Sequence, residues 1–124
     1  FQIKDDLLDL TSDFLVINFE VVYDIYEGKR TIMLMHLFRR VKPKDKAKLM
    51  RIMSKPREKK TIKEVNWVIG LMRKYGSLDY GQKLAEKLAS QALVIFEKKL
   101  NFLSCQPARN RLKAAVDFIL KRDY

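Results

Sequence analysis

The first nine residues, FQIKDDLLD, carry the side chains with the clearest capacity for chemistry. In a helix, Asp5 and Asp9 are four residues apart on one face, and Asp6 lies about 100° round the same turn. Gln2 lies three residues before Asp5. Carboxylate oxygens on a rigid helix suit Mg²⁺, which takes one or two carboxylates together with substrate phosphates, and no His or Cys accompanies them as zinc would require. The alternative is a solvated acidic face at the start of a helix.

The residues around the aspartates extend this pattern beyond a bare DDxxD. Phe1 and Gln2 precede the aspartates, and DIYEGKRT follows at residues 24–31. These stretches resemble the second aspartate-rich motif of the trans-prenyl diphosphate synthases (polyprenyl synthetases), FQ-x-x-DD-x-x-D, and the D-x-x-x-GK-x-T segment of the same family. Residues 74–80 and 117–122 show a weaker likeness to its bacterial and archaeal short-chain members, the farnesyl and geranylgeranyl diphosphate synthases.

The resemblance implies a reaction and a set of site residues. The reaction is a prenyltransferase step of isoprenoid biosynthesis, the Mg²⁺-dependent head-to-tail condensation of isopentenyl diphosphate with an allylic diphosphate, in which metal ions neutralise the leaving diphosphate. The implied roles are metal binding by Asp5, Asp6 and Asp9, catalysis by Asp5 and Lys29, and substrate binding by Phe1, Gln2, Lys29 and Arg122, with Lys4 as a weaker candidate. Lys4 and Arg122 are equally compatible with surface cations.

The chain departs from the family in two respects. It holds no second DDxxD cluster, so residues 1–124 are interpreted as the C-terminal half of the isoprenoid-synthase helical bundle. We therefore expect the isolated chain to be inactive, and to associate with an N-terminal half or as a homodimer. Where the family has Gly-Lys and then Gly, this chain has Asn18-Phe19 and Val22, which leaves open a non-catalytic, synthase-like partner subunit. The product length cannot be inferred, because it depends on the first aspartate-rich motif.

Net charge suggests a third class of function. The chain carries a formal charge of +11, and residues 31–60 hold eleven basic against two acidic side chains. A helical nucleic-acid-binding module would need such a basic surface. Aromatic side chains do not alternate with these cations, and no nucleic-acid-binding motif is present, so we expect no nucleic acid partner. The single Cys105 and the absence of a 20-residue apolar run indicate a soluble, cytoplasmic protein.

Apolar spacing predicts an all-α domain that positions these residues. The helices are expected near residues 1–12, 32–40, 43–53, 61–75, 80–100 and 107–121. The expected apolar stripes are Ile3, Leu7 and Leu10 in the first helix, Met33, Leu34, Leu37, Phe38 and Val41 in the second, Leu49, Ile52 and Met53 in the third, Val65, Val68, Ile69 and Met72 in the fourth, and Leu84, Leu88, Ala92, Ile95, Phe96 and Leu100 in the fifth. The last helix is expected to bury Leu112, Ala115, Val116, Ile119 and Leu120. Thr31 and the Thr61 to Glu64 capping box are expected to begin helices, and Gly76 to end one.

Three segments fit this scheme less simply. Residues 14–23 are rich in aromatic and β-branched side chains, and the pattern by itself predicts a strand. The segment from Lys55 to Lys60 has too few apolar side chains to bury and is predicted to be a charged linker. His36 falls within a predicted helix, where we expect it to be packed or hydrogen-bonded rather than a ligand or base.

Overall fold

A computed structural model describes residues 1–11 and 22–121, and every regular element in these two ranges is helical. The elements are α1 Gln2–Thr11, α2 Tyr23–Tyr26, α3 Ile32–Arg40, α4 Pro43–Met53, a 3₁₀ turn Arg57–Lys59, α5 Ile62–Lys74, α6 Ser77–Lys99 and α7 Ala108–Lys121. The all-α prediction is therefore confirmed. Most of the predicted strand lies outside the described residues, but its last member, Tyr23, begins α2 instead.

The long helix α6 is the centre of the bundle. It packs against α1, α3, α5 and α7, while α3 also contacts α5, and α2 contacts both α1 and α5. The predicted stripes of α1, α3 and α5 supply the core. Its fully buried side chains include Leu10, Ile25, Met33, Leu37, Leu49, Ile52, Val65, Val68 and Met72. The core thus lies at the first half of α6, next to the acidic residues of α1.

Gly81 sets how closely α6 approaches its neighbours. A Cβ atom built at Gly81 would lie 2.6 Å from Sδ of Met33 and 3.3 Å from Cδ2 of Leu7. Both side chains are buried, so they have little room to give way. The absence of a side chain at Gly81 therefore lets α6 contact α1 and α3 at the same level of the bundle.

The helix boundaries follow the predicted signals with one exception. The Thr31 hydroxyl accepts from the Leu34 N–H at 3.3 Å, and Thr61 forms the complete capping box with Glu64. Gly76 has φ +64°, the left-handed conformation that ends α5. The prediction that α6 starts near Tyr80 is wrong, because the helix begins directly after Gly76, at Ser77.

The other end of the bundle differs from prediction more strongly. None of the described side chains of α7 is buried, and Leu112 of its predicted stripe is 56% exposed. Leu88 and Ile95 of α6 are also exposed. The predicted stripes exist as apolar faces that residues 1–11 and 22–121 cover only in part, since Phe96 is buried and Val116 and Ile119 are half-buried. Within those ranges, no helix combines the length and apolar character needed to cross a membrane.

The segment from Lys55 to Lys60 is not a solvated linker, which corrects the sequence prediction. Its middle forms the 3₁₀ turn, and Lys60 is buried. Lys55 pairs with Glu64 at 2.6 Å, which ties the segment to the first turn of α5. Hydrogen-bonding side chains, rather than apolar ones, therefore anchor it to the bundle.

Candidate functional site

Asp9, at the end of α1, organises the short helix α2. Its Oδ1 accepts from the Tyr23 N–H at 3.2 Å, and its Oδ2 accepts from the Asp24 N–H at 3.1 Å. A carboxylate at this position pairs N–H groups that a helix cannot satisfy itself. Burial raises the pKa of Asp9, while the two N–H groups oppose that rise. One aspartate of the predicted metal set therefore holds α1 and α2 together.

The turn after α2 brings Lys29 back to Asp24. The Lys29 N–H donates to the Asp24 carbonyl at 2.8 Å, and the Lys29 ammonium forms an ion pair with the Asp24 carboxylate. Gly28 has φ +70°, a conformation that costs glycine little, and this allows the tight return of the chain. The ion pair raises the pKa of Lys29. Because Asp24 is only 4% exposed, its contact fixes the direction of the lysine.

Asp6 lies beside this pair and carries an unfavourable charge. Burial, the charge of Asp24 and a hydrogen bond with the Asp24 side chain all raise the pKa of Asp6, and Lys29 only partly offsets them. Three carboxyl groups, Asp6, Asp9 and Asp24, thus influence one another around one lysine. A cation bound near Asp6 would relieve this repulsion.

Asp6 and Lys29 line a cleft of about 560 Å³ between α1, α6 and the start of α3, whereas Asp9 and Asp24 do not reach its lining. Its lining combines polar and apolar side chains, and consists of Gln2, Ile3, Asp6, Lys29, Arg30, Thr31, Ile32, Met35 and Leu84. The N-terminus of α3 borders the cleft on the side where Lys29 and Arg30 precede it. Helix N-termini attract anions through their N–H groups and dipole, so this side suits a phosphate group next to two cations.

The structure brings some of the predicted site residues together and separates others. Gln2, Asp6 and Lys29 all line the cleft. Phe1 and Lys4 instead line a second cavity of about 220 Å³, bounded by α6 and α7.

Lys4 is buried there, so it is not a surface cation, and it does not line the cleft that contains Lys29. Asp5 is partly buried on α1 and is engaged in contacts of its own. Arg122 lies outside the described residues.

The donor set suits Mg²⁺ in type but is incomplete by itself. Carboxylate oxygens are the ligands that Mg²⁺ prefers, and Asp6 faces the cleft. In the described part of the chain, no three His, Cys, Asp or Glu side chains are grouped closely enough to hold a metal. A metal here would therefore need oxygen ligands from a bound phosphate or from another segment.

Sequence reasoning did not assign a role to Asp24 or Arg30. Both lie in the stretch that resembles the D-x-x-x-GK-x-T segment, so a signal for them was present. Met35 and Leu84, the apolar wall of the cleft, could not be separated from ordinary core positions by their helical spacing.

His36 has the structural role that was expected. Its Nδ1 lies 3.0 Å from the Ser77 hydroxyl, and its ring stacks on Tyr80 with centroids 4.3 Å apart. Ser77 is completely buried, and His36 is partly buried. The pair joins α3 to α6.

With this geometry in place, comparison with known proteins defines the class. The family model described as "Polyprenyl synthetase" matches residues 1–72. The chain belongs to the polyprenyl synthetase family. The match covers α1 through most of α5, which includes the whole cleft apart from Leu84.

Particular relatives support the same class. A short chain isoprenyl diphosphate synthase from Methanothermobacter thermautotrophicus is 31% identical over 124 residues, which is 100% of this chain and 36% of the relative. A geranylgeranyl diphosphate synthase from Sulfolobus acidocaldarius is 34% identical over 93 residues, or 75% of this chain and 27% of the relative. The chain is thus similar to about a third of each of them.

A solved structure extends the likeness to the fold. The crystal structure of geranylgeranyl pyrophosphate synthetase from Pyrococcus horikoshii superposes with a TM-score of 0.79 at 32% identity. The superposition covers 98% of this chain and 35% of that one. The all-α isoprenoid-synthase fold predicted from the sequence is therefore confirmed.

Proposed function

We propose that this chain forms one wall of a prenyltransferase site that elongates an allylic diphosphate with isopentenyl diphosphate. The observation that carries the proposal is the cleft that joins Gln2, Asp6 and Lys29, three residues singled out from the sequence alone. Lys29 and Arg30 supply positive charge for a diphosphate, and the apolar wall suits an isoprenoid chain.

Magnesium is the proposed cofactor. Asp6 would hold it from the cleft side and Asp5 from the same turn of α1, with phosphate oxygens completing its coordination. When bound, the metal would neutralise charge on the departing diphosphate. Asp9 contributes by a different route, since its carboxylate fixes α2 and thereby the Asp24 to Lys29 pair. Asp5, Asp6 and Asp9 remain the proposed metal-binding residues. Of these, Asp9 also has a structural role, because it accepts hydrogen bonds from the N–H groups of α2.

We propose further that activity needs a second helical part, from the same or another chain. The relatives are about three times as long, and the apolar faces of α6 and α7 are open in the described structure. Association with an N-terminal half, or with a second copy, would cover such faces and complete the metal coordination. Alone, the chain is expected to show no prenyl transfer.

The test is prenyl transfer from labelled isopentenyl diphosphate by this chain combined with the N-terminal part of a relative. Asp5→Ala should lower the turnover rate by at least ~10²-fold, the scale of losing one preorganised electrostatic group. Lys29→Ala should mainly raise the apparent KM, because its charge attracts diphosphate before the bond breaks.

Asp117→Ala, at an exposed position of α7, is the matched control and should change neither value. Normal turnover in Asp5→Ala would show that the metal assignment is wrong. An inactive complex that still assembles would favour the synthase-like partner subunit, and retention on nucleic acid would favour the basic module.

A further inference from the structure

A buried lysine between α4 and α5 has no part in the proposed reaction. The Lys60 side chain is 6% exposed, and its Nζ donates to the carbonyl oxygens of Tyr26 at 2.6 Å and Lys55 at 2.7 Å. Burial lowers the pKa of Lys60, although nearby carboxylates oppose this. An ammonium withdrawn from water is costly unless its donors are paired. The two carbonyls therefore determine where Lys60 can lie.

One of these carbonyls lies at the C-terminal end of a helix, and the other lies in the turn just beyond the end of another helix. Tyr26 is the last residue of α2, and Lys55 follows α4 by two residues. Carbonyl groups at such ends lack partners within the helix and carry the negative end of its dipole. The Lys60 ammonium donates a hydrogen bond to both carbonyls, so Lys60 links α2 to the turn after α4.

The turn that follows α2 rests against this contact. A Cβ atom at Gly28 would lie 3.1 Å from the Met53 carbonyl oxygen and 3.6 Å from Nζ of Lys60. Lys29 comes next in the chain and reaches Asp24. The position of Lys29 is therefore set by the turn at Gly28, and this turn packs against the Lys60 ammonium.

Arg57 adds a second contact to the same short helix. It forms an ion pair with Glu27, and its guanidinium carbon lies 4.3 Å from the centroid of the Tyr23 ring. A four-residue helix cannot maintain itself, because helix nucleation is unfavourable. Helix α2 thus depends on Asp9 at its start and on the segment 55–60 at its end.

We propose that Lys60 is a positioning residue for the diphosphate site, which holds the end of α2 so that the following turn presents Lys29 to the cleft beside Asp24. The proposal rests on the proposed function for the ligand that Lys29 binds. The positioning itself is a property of this chain and can be measured without that ligand.

The first measurement uses NMR of the Lys29 side chain to determine the pKa of Lys29 in the Lys60→Met variant. The variant keeps the apolar stem but removes the donors, so α2 loses its tie to α4. We expect the Lys29 pKa to fall toward that of an ordinary lysine, because the pair with Asp24 is formed less often. Lys59→Met removes the neighbouring exposed cation and should leave it unchanged. Lys60→Arg, which retains the charge and the N–H donors, should give a Lys29 pKa close to that of the wild-type chain.

Amide hydrogen exchange separates this local effect from general loss of structure. In Lys60→Met the amides of residues 24–30 should exchange at least ~10-fold faster, while those of 34–37 in the core of α3 stay protected. If protection is lost throughout, Lys60→Gln, which retains one donor, is measured in its place. An unchanged Lys29 pKa and unchanged exchange of residues 24–30 would overturn the proposal.

Binding of inorganic diphosphate with Mg²⁺ then connects the position of Lys29 to its role. Lys60→Met and Lys29→Ala should each weaken binding by about tenfold, and the double variant should bind no more weakly than Lys29→Ala. Independent, additive losses would contradict the proposal. If the wild-type chain, assembled with the N-terminal part of a relative as in the transfer assay, binds no diphosphate, the proposed function of the cleft fails, while the NMR result still decides whether Lys60 positions Lys29.

Discussion

The two ends of α6 lie in contrasting surroundings. Around its first turns, α1, α3 and α5 pack so closely that Gly81 leaves no room for a methyl group. Towards its other end, α6 packs against α7, and Leu88, Ile95 and Leu112 are exposed, although Phe96 is buried. The closed end carries the cleft, because side chains in a densely packed region are held in fixed positions. The open end carries the apolar surface that we propose meets a second helical part.

The contrast also separates two uses of charge. At the closed end, Asp9, Asp24 and Lys60 are at least half buried and each holds a particular backbone or side-chain group. At the open end, Glu97 pairs with Arg109 and Lys113 on the surface. Exposed pairs of that kind contribute little to stability. Substitutions should therefore have larger effects at the closed end.

Gly81→Ala should have the largest effect on stability. The added methyl group would meet Met33 and Leu7 in the core, and overpacking of this kind costs about 1–3 kcal/mol. Gly70→Ala is the control within another helix, because no atom lies within 4 Å of the added carbon. That change should raise the free energy of unfolding by about 0.5–1 kcal/mol. Denaturant unfolding measures both, and equal effects would contradict the packing described for α6.

How much the sequence predicted also differs between the two ends. The stripes of α1, α3 and α5 were correct because their apolar residues meet one another within this chain. The stripe of α7 was correctly recognised as apolar but wrongly predicted to be buried, since spacing does not show whether a covering element is present. The closed end was therefore predictable from local pattern, and the open end was not.

The site shows the same limit in its polar contacts. The spacing of Asp5, Asp6 and Asp9 was visible, but their different roles were not. Those roles depend on α2, which is fourteen residues or more further along the chain. Lys60 was assigned to a charged linker because its two hydrogen-bond acceptors are backbone carbonyls. The sequence shows side-chain types, and these do not indicate where a backbone carbonyl will lie.

Asp6 and Asp9 should respond oppositely to loss of charge. Asp9→Ala removes the acceptor for two N–H groups of α2 and should lower stability by about 1 kcal/mol. Asp6→Asn should instead raise stability at neutral pH without metal, because burial and the charge of Asp24 disfavour the ionised form of Asp6 and so raise its pKa.

A raised folded-state pKa means that the folded protein favours protonated Asp6. The stabilisation from the protonated form is present at low pH and is lost as pH rises through that pKa. The advantage of Asp6→Asn over wild type should therefore shrink as pH falls through the raised pKa of Asp6, and it should vanish below the ordinary aspartate range. Asp117→Asn, exposed on α7, should show no such trend. A constant advantage at all pH values would mean that Asp6 charge is not the cause.

The smallest effect on stability is expected at the open end, from Phe118→Ser. Phe118 is 57% exposed on α7, and surface substitutions away from special contacts usually change stability by less than ~0.5 kcal/mol. The same change should weaken association, because it removes a large apolar side chain from the face proposed to meet a second helical part. Sedimentation at several concentrations measures this, with Lys121→Ser, also on exposed α7, as the control. Unchanged association together with a large loss of stability would show that α7 is held by this chain alone, and the contrast between the two ends of α6 would then be wrong.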